Sequence, residues 1–288
     1  MSKKVLIQIF FILVYVFAAI GFFLTVGYFA IRFGLTNQKG IIDTQREAFL
    51  GTGAILHQTA SVNIAAQQAP TFSGPWAQSE EWQVMEAAIR RDQSTIQHAA
   101  TDSGVPARLI TANLVAEQLR LFFTDREDYK KFFYPLKILG PQTQFSWGVM
   151  GMKEATAVQV ENNLKNPASP YYPGAQYEHV LDFPAGTTDI TGARFARMTD
   201  QHNHYWSYVY AGLYIKEVEA QWGKAGFPID KNIAVISTLY NIGFTHSMPN
   251  ANPQVGGAAI TLSDGVHSFG ALAAEFYNSD LITDSLPR

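Results

Sequence analysis

Residues 113–118, with the sequence NLVAEQ, place one glutamate, Glu117, at the end of an otherwise apolar run. The apolar residues around it recur at helical spacing and predict a mostly buried helix over residues 107–123. An ionised carboxylate among apolar neighbours costs on the order of several kcal/mol, so it is a poor core residue. Glu117 is therefore expected either to find a partner or to hold its proton with a raised pKa.

Two further motifs contain residue types that suit a site beside such a carboxyl group. The first is SWGVMG at residues 146–151, in which Gly148 and Gly151 allow the backbone to approach a sugar closely. The second is LYNIG at residues 239–243, where the hydroxyl group of Tyr240 can hydrogen-bond the carboxyl group while its ring packs. A protonated glutamate that faces a cleft is suited to donating a proton to a glycosidic oxygen.

These motifs resemble those of the lytic transglycosylase and goose-type lysozyme superfamily. Residues 104–107 (GVPA) with residues 109–117 are similar to the opening helix of that family, and SWGVMG is similar to its S-x-G-L-M-Q turn. LYNIG is similar to the family's A-Y-N-A-G element. ATA at residues 155–157 corresponds to the family's x-T-A, and GLYIKEV at residues 212–218 is similar to its G-x-x-Y-L-x-x-L. The elements occur in the family's order and together cover residues 104–243.

The resemblance implies a mainly α, lysozyme-like domain with a substrate cleft. It also implies a peptidoglycan lytic transglycosylase that cleaves the MurNAc–GlcNAc β-1,4 bond, with Glu117 as the sole catalytic carboxyl group, first acid and then base. The substrate's own acetamido group replaces a second carboxylate, the 6-hydroxyl closes an anhydro sugar, and neither a metal nor another cofactor is required. The residues that the resemblance assigns to substrate binding are Ser146, Gly148, Met150, Tyr240 and Asn241.

Two departures from the family pattern leave other functions open. Gln118 stands where the family has a serine after the glutamate, and Gly151 stands where it has a glutamine. The alternatives are a non-catalytic glycan-binding or scaffold module with the same fold, and a muramidase-type hydrolase. Glu117 could also be an ordinary helix residue that faces solvent. The acidic side chains within DRED, residues 125–128, suit a solvated turn or could supply the second carboxylate of an inverting hydrolase.

The composition excludes several classes of function. The 288 residues carry a net charge of −3 without a basic stripe, which argues against nucleic acid as a partner. Cysteine is absent, which rules out disulfides, thiolate metal sites and a cysteine nucleophile. His202 and His204 lie near Asp200, but two histidines in a predicted loop without a third ligand argue against a metal site there.

The N-terminal residues predict a membrane anchor. Residues 5–31 are 27 positions without a charge. As a helix they span roughly 40 Å, enough to cross a hydrocarbon core of about 30 Å. We therefore expect residues 1–33 to be a single retained transmembrane helix, with a cleaved secretory signal as the alternative. An extracellular polymer as substrate would place the body outside the bacterial cytoplasmic membrane, in the periplasm or cell wall, where it could belong to an envelope protein complex.

The remaining residues divide into a linker and a folded body. Residues 34–78 are interpreted as a stalk, and residues 79–288 as the domain. Residues 158–203, rich in proline, glycine and tyrosine, are interpreted as a long loop that is either disordered or a lid facing the sugar. In one predicted helix, Lys216, Glu217 and Glu219 are expected on the solvent side. Besides residues 107–123, helices are predicted at Glu80–Ala100, Tyr205–Gly223, Asp230–Tyr240 and Ser268–Asn278.

Overall fold

The computed structural model describes residues 74–122 and 146–288, except Ser263, and a few single positions nearer the N-terminus. Over these residues the fold is mainly α, as predicted, with seven α-helices and two short antiparallel sheets of two strands each. The helices are α1 (Glu80–Ser103), α2 (Ala107–Phe122), α3 (Glu154–Leu164), α4 (Ile190–Met198), α5 (Tyr205–Lys224), α6 (Ile233–Ile242) and α7 (Phe269–Asn278). The strands are β1 (Ser146–Trp147), β2 (Met152–Lys153), β3 (Ala259–Leu262) and β4 (Gly265–Ser268), and single 3-10 turns lie at Pro75–Gln78, Ala175–Tyr177 and Phe244–His246.

Local hydrogen bonds explain where the helices begin. At α1 the hydroxyl oxygen of Ser79 accepts a hydrogen bond from the backbone N–H of Trp82 at 3.2 Å, as expected of an N-cap. At α6 the cap is Asn232, whose side-chain oxygen accepts from the backbone N–H of Val235 at 3.2 Å. This helix therefore starts directly after Asn232 and not at Asp230 as predicted. All five predicted helices are present, with ends that differ from the prediction by three residues at most.

Helix α5 is the central element of the body, since it packs against α1, α3 and α6, while α7 packs against α2 and α6. Its aromatic side chains fill the core, and Tyr208 and Tyr214 are buried there. Glu217 was predicted to face solvent, but it is 0% exposed and accepts a hydrogen bond from the Asn163 amide of α3 at 2.9 Å. That prediction is wrong for Glu217 because its side of α5 faces α3, whereas Lys216 and Glu219 are partly exposed.

The interpretation of residues 158–203 as one long loop is also wrong. Helix α3 continues to Leu164 and α4 forms most of the C-terminal part, which leaves residues 165–189 and 199–203 outside the α-helices. Arg194 fixes α4 to α3, because its Nε and Nη2 atoms each donate to a carboxylate oxygen of Glu161 at 2.7 Å. The two helices are short and separated by prolines and glycines, so their periodicity in the sequence is weak.

The buried side chain of Arg108 on α2 ties the C-terminal residues to the core. Its guanidinium group donates five hydrogen bonds of 2.6 to 3.0 Å, all to backbone carbonyl oxygens, and burial lowers its pKa to about 10. Carbonyl groups at a helix C-terminus lack partners within the helix, and Arg108 supplies donors to those that end α7. The five acceptors belong to Phe276, Tyr277, Ser279, Leu281 and Leu286.

The predicted stalk and anchor are described only in part. Trp76 is buried and its ring N–H donates to Glu275 of α7 at 2.9 Å, so residues 74–78 belong to the packed body. The predicted anchor, residues 1–33, lies outside the described residues except for isolated positions, and residues 125–128 lie outside them entirely. Among the residues that the structure describes, no helix has the length and apolar character needed to cross a membrane.

Candidate functional site

Glu117 lies in the second half of α2, and only 3% of the residue is exposed. The apolar residues that flank it on the helix are buried, in agreement with the pattern of the sequence. The alternative of an ordinary helix glutamate facing solvent is therefore wrong. The carboxyl group lies instead against the turn that joins β1 to β2, within the motif SWGVMG.

Glu117 has a charged partner on its own helix. The Nη2 atom of Arg120 donates to Oε1 of Glu117 at 2.5 Å, and Nε donates to Oε2 at 3.1 Å. Arg120 is itself only 9% exposed, so the ion pair is buried at both ends. Residues three apart lie on the same side of a helix. That spacing could have revealed Arg120, which the interpretation of the sequence did not include.

Three helices hold the turn beside Glu117. From α2, the side-chain amide of Gln118 donates to the carbonyl oxygen of Val149 at 2.5 Å. From α5, the hydroxyl oxygen of Ser207 accepts from the backbone N–H of Met150 at 3.2 Å. From α6, the hydroxyl group of Tyr240 donates to the carbonyl oxygen of Met150 at 2.8 Å. Gln118, which departs from the family pattern, therefore has a definite role here in fixing the turn.

Both glycines of the turn are required by conformation and by space. Gly148 and Gly151 have φ angles of 66° and 65°, in the left-handed region that side chains disfavour. A methyl group on Gly151 would lie 2.0 Å from Oε1 of Glu117. One on Gly148 would lie 2.5 Å from the carbonyl oxygen of Met198 and from the hydroxyl oxygen of Ser207. The space that these glycines leave is thus filled by atoms of the protein itself.

Tyr240 is coupled electrostatically to the same carboxyl group. Burial raises the pKa of its hydroxyl group well above the ordinary value of 10.0, and the nearby charge of Glu117 raises it further. Tyr214 acts in the same direction, and Arg120 opposes them. Tyr240 is therefore a neutral phenol that donates to the turn at any physiological pH.

The remaining predicted site residues are placed differently. Ser146 is buried in β1, where it pairs with Lys153 of β2. The side chain of Met150 is buried in the core. Asn241 is directed to another loop, because its side-chain oxygen accepts from the backbone N–H of Ala258 at 2.7 Å. The structure thus brings Glu117, the glycine turn and Tyr240 together, whereas the described contact of Asn241 is with the loop before β3.

His204, one of the two histidines considered as metal ligands, has other partners. Nδ1 of His204 lies 2.6 Å from a carboxylate oxygen of Asp92, and the hydroxyl group of Tyr208 donates to that oxygen at 2.7 Å. Within residues 74–122 and 146–288 no group of three or more His, Cys, Asp or Glu side chains could hold a metal ion. His204 therefore joins α5 to α1 as part of a buried polar network.

Comparison with known proteins gives no match: no family model, no curated protein and no solved structure is similar to the chain. A function must therefore be inferred from the contacts of Glu117 and from the motifs that surround it. What the arrangement offers chemically is a buried carboxyl group, a buried turn held from three helices and a neutral phenol, all within one small region.

Proposed function

We propose that this protein is a peptidoglycan lytic transglycosylase that cleaves the MurNAc–GlcNAc β-1,4 bond, with Glu117 as its general acid and base. The observation that carries the proposal is the burial of Glu117 against the backbone of Gly151, with the hydroxyl group of Tyr240 close by. The three motifs that resemble those of lytic transglycosylases come from separate parts of the chain and meet at this one carboxyl group. Their meeting favours a shared chemical role over three unrelated packing roles.

In the proposed reaction, Glu117 donates its proton to the glycosidic oxygen while the bond from that oxygen to the anomeric carbon of MurNAc breaks. The acetamido oxygen of the same sugar forms a bond to the anomeric carbon, in place of a second carboxylate. The 6-hydroxyl oxygen then attacks this carbon, the bond to the acetamido oxygen breaks, and the hydroxyl proton passes to Glu117. The anhydro sugar leaves, the carboxyl group is protonated again, and no metal or other cofactor takes part.

The residues around Glu117 have supporting roles in this proposal. The glycan binds beside Glu117 in a cleft of a lysozyme-like domain, and Gln118 and Tyr240 keep the turn that borders the carboxyl group in position. Ser146, Gly148, Met150 and Asn241 remain proposed binding residues on the strength of the motifs alone, because their described contacts are with other parts of the protein.

The proposed substrate also sets the proposed location. Peptidoglycan lies outside the cytoplasm, so residues 1–33 would anchor the chain in the bacterial cytoplasmic membrane with the body in the periplasm or cell wall. At that position the protein could open the wall locally for an envelope complex. Labelling of the body by a membrane-impermeant reagent in intact spheroplasts tests this orientation, and protection of the body would contradict it.

The activity is tested by incubating the full-length protein in detergent with isolated cell wall and identifying the products by mass spectrometry. Anhydro products that disappear in Glu117→Gln are expected. The matched control is Glu86→Gln, because Glu86 also pairs with an arginine on its own helix but is partly exposed and lies on α1. Products with reducing ends would identify a hydrolase instead, and undiminished cleavage by Glu117→Gln would exclude Glu117 as the acid.

One observation favours a second candidate, a non-catalytic glycan-binding module. Arg120 contacts both oxygens of Glu117, so the carboxyl group is engaged as an acceptor and not as a proton donor. Co-sedimentation with isolated cell wall separates the two functions. Binding by the unaltered protein without any soluble product would support the module, while release of anhydro sugars would exclude it.

A further inference from the structure

Phe49 is distant from the body in the sequence but belongs to its core in space. It comes 25 positions before Gly74, the first residue of the continuous described range, and falls within the stretch interpreted as a stalk. The residue is 0% exposed and is part of the same apolar core as the helices. A residue of a free stalk would be solvated, so this burial indicates a specific contact with the body.

Two contacts fix the orientation of Phe49. Its ring meets the ring of His204 edge to face, with the ring centroids 5.5 Å apart and an interplanar angle of 81°. Its backbone carbonyl oxygen accepts a hydrogen bond from the guanidinium group of Arg91 on α1. Edge-to-face aromatic pairs and charge-assisted hydrogen bonds both depend on direction. The contact is therefore directional as well as apolar.

The receiving surface is held in shape by contacts that do not involve Phe49. His204 directly precedes α5, and its Nδ1 atom lies 2.6 Å from Oδ2 of Asp92 on α1. The hydroxyl group of Tyr208 donates to the same oxygen at 2.7 Å. A surface whose side chains are already fixed loses little freedom when a partner binds, which favours docking. We call this surface, formed by Arg91, Asp92, His204 and Tyr208, the α1–α5 socket.

We propose that Phe49 docks the chain into the α1–α5 socket and thereby fastens it to the body well before residue 74. The occupant of the socket is this chain's own segment at Phe49. The next described attachment is at Gly74 and Trp76, where the backbone N–H of Gly74 and the ring N–H of Trp76 donate to Glu275 at 2.7 and 2.9 Å. The two attachments are independent, because they use different helices of the body.

The functional consequence of docking rests on the proposed function and location, and it follows from chain length. Residue 33, the last of the predicted anchor, is 16 positions before Phe49 and 41 positions before Gly74. An extended chain spans at most about 3.4 Å per residue, so docking shortens the longest possible tether from about 140 Å to about 55 Å. The docked body is expected to reach only the glycan strands closest to the membrane, and release of Phe49 would more than double that reach.

Docking is tested by placing the photo-crosslinking residue p-benzoylphenylalanine at position 49 of the full-length protein in detergent. Illumination should join position 49 to peptides that contain residue 91 or residue 204, as identified by mass spectrometry. The control carries the same group at position 227, because Phe227 is 37% exposed and follows the opposite end of α5, about 30 Å away along the helix. Crosslinks from position 49 that reach only other peptides, or none at all, would overturn the docking.

A second measurement compares variants by limited digestion with trypsin, which cleaves after Arg46, three positions before Phe49. Cleavage near a docked residue requires its local release. Phe49→Ala should therefore raise the initial rate of cleavage after Arg46 by about 10-fold or more, since it removes the whole buried ring. Arg91→Gln removes only the hydrogen bond, so it should raise the rate less, and it provides the comparison if Phe49→Ala does not fold. Phe227→Ala should leave the rate unchanged, and equal rates in the unaltered protein and both docking variants would overturn the docking.

The shortened tether is tested in vesicles of phosphatidylethanolamine and phosphatidylglycerol that contain the full-length protein and acceptor-labelled lipid. Because the chain has no cysteine, Phe227→Cys provides a single site for a donor fluorophore on the body. Energy transfer to the lipid should be lower when Phe49→Ala is added, since the longer tether lets the body move farther from the bilayer. Equal transfer with and without Phe49→Ala would overturn the shortened tether.

These outcomes are separate from those that test the proposed function. Phe49→Ala should cleave soluble glycan strands at the rate of the unaltered protein, because the described contacts of Phe49 are with the α1–α5 socket. Absence of cleavage in the unaltered protein would contradict the proposed function, and failure to enter vesicles would contradict the anchor. Crosslinks from position 49 to the socket would establish the docking in either case.

Discussion

Two buried glutamates, Glu117 on α2 and Glu217 on α5, have opposite surroundings. Glu117 accepts from the guanidinium group of Arg120 on both oxygens. Glu217 accepts from the amide of Asn163 on one oxygen, and within the described part of the chain its Oε1 atom has no hydrogen-bond partner. Burial raises the pKa of Glu217 well above the ordinary value of 4.5, and the hydrogen bond from Asn163 opposes this.

The comparison teaches that burial by itself does not identify a catalytic acid. A buried carboxyl group can be accommodated by a cation or by a raised pKa that favours its protonated form, and the two positions differ in this respect. Glu217, whose pKa is raised by burial, lies in the core at 0% exposure. The group that meets the three motifs is the one in an ion pair. Position relative to the turn and to Tyr240 is therefore the stronger criterion for function.

The largest expected difference between the two glutamates is in activity. Glu117→Gln should lower the rate of cell-wall cleavage by about 100-fold to 10,000-fold, the usual contribution of a general acid. Glu217→Gln should leave the rate close to that of the unaltered protein, because its side chain contacts neither the turn nor Glu117 in the described contacts. Soluble products quantified by mass spectrometry provide the measurement. Equal losses in the two variants would remove the functional distinction.

The second difference is in stability. Arg120→Met should lower the free energy of unfolding by about 3–5 kcal/mol, because it leaves Glu117 buried without its counter-charge. The double variant with Glu117→Gln should recover much of that loss. Urea denaturation followed by tryptophan fluorescence measures both. Arg90→Met is the control and should cost about 1 kcal/mol or less, since its partners Glu86 and Asp284 are both partly or largely exposed. A loss at Arg120 no larger than the control's would contradict a buried pair.

The third difference is in the pH dependence of stability. Because the folded-state pKa of Glu217 is raised, its stabilising protonation is fully present below the unfolded value of 4.5 and is lost as pH rises toward the folded value. Over that window the free energy of unfolding should fall by at most about 1.4 kcal/mol per pH unit from this group. Glu217→Gln should flatten the dependence. An unchanged slope as pH rises above 4.5 would contradict the assignment.

The smallest expected effect concerns the phenol beside Glu117. Tyr240→Phe removes one hydrogen bond to the carbonyl oxygen of Met150 and should cost about 0.5–1.5 kcal/mol of stability. Tyr214→Phe is a matched control, because its hydroxyl group also donates to a backbone carbonyl, that of Leu239, at 2.8 Å. Both variants should lose similar stability, but only Tyr240→Phe should also slow cleavage. Equal cleavage rates in the two variants would argue against a role for the turn in the reaction.

Much of the helical framework could be predicted from the sequence because its signals are local. Ser79 and Asn232 cap helices through hydrogen bonds to residues three positions away, and Gly104 ends α1 in a left-handed conformation. The burial of Glu117 likewise follows from the apolar residues of its own helix. The segment 158–203 was misinterpreted because its short helices depend on contacts such as Arg194 with Glu161, which are distant in sequence.

The candidate site could be predicted less completely. The spacing of Glu117 and Arg120 was visible in the sequence, but two residues on one face of a helix can equally well point apart. Gln118 and Tyr240 both hold the turn, but they do so from α2 and α6, which are far apart in the sequence. The sequence did not show that these two helices converge on the turn. The burial of Glu217, which was expected to face solvent, depended on the helices that pack around α5.

The sequence by itself determined five of the seven described helices and indicated the burial of Glu117, because caps, periodicity and apolar runs act over a few residues. Only the tertiary structure decided which buried carboxyl group would be paired with a cation, which would be left with an amide, and that the glycine turn would lie against Glu117. The physical reason is that the energy of a buried charge depends on the atoms packed around it, and those atoms come from helices far apart in the chain.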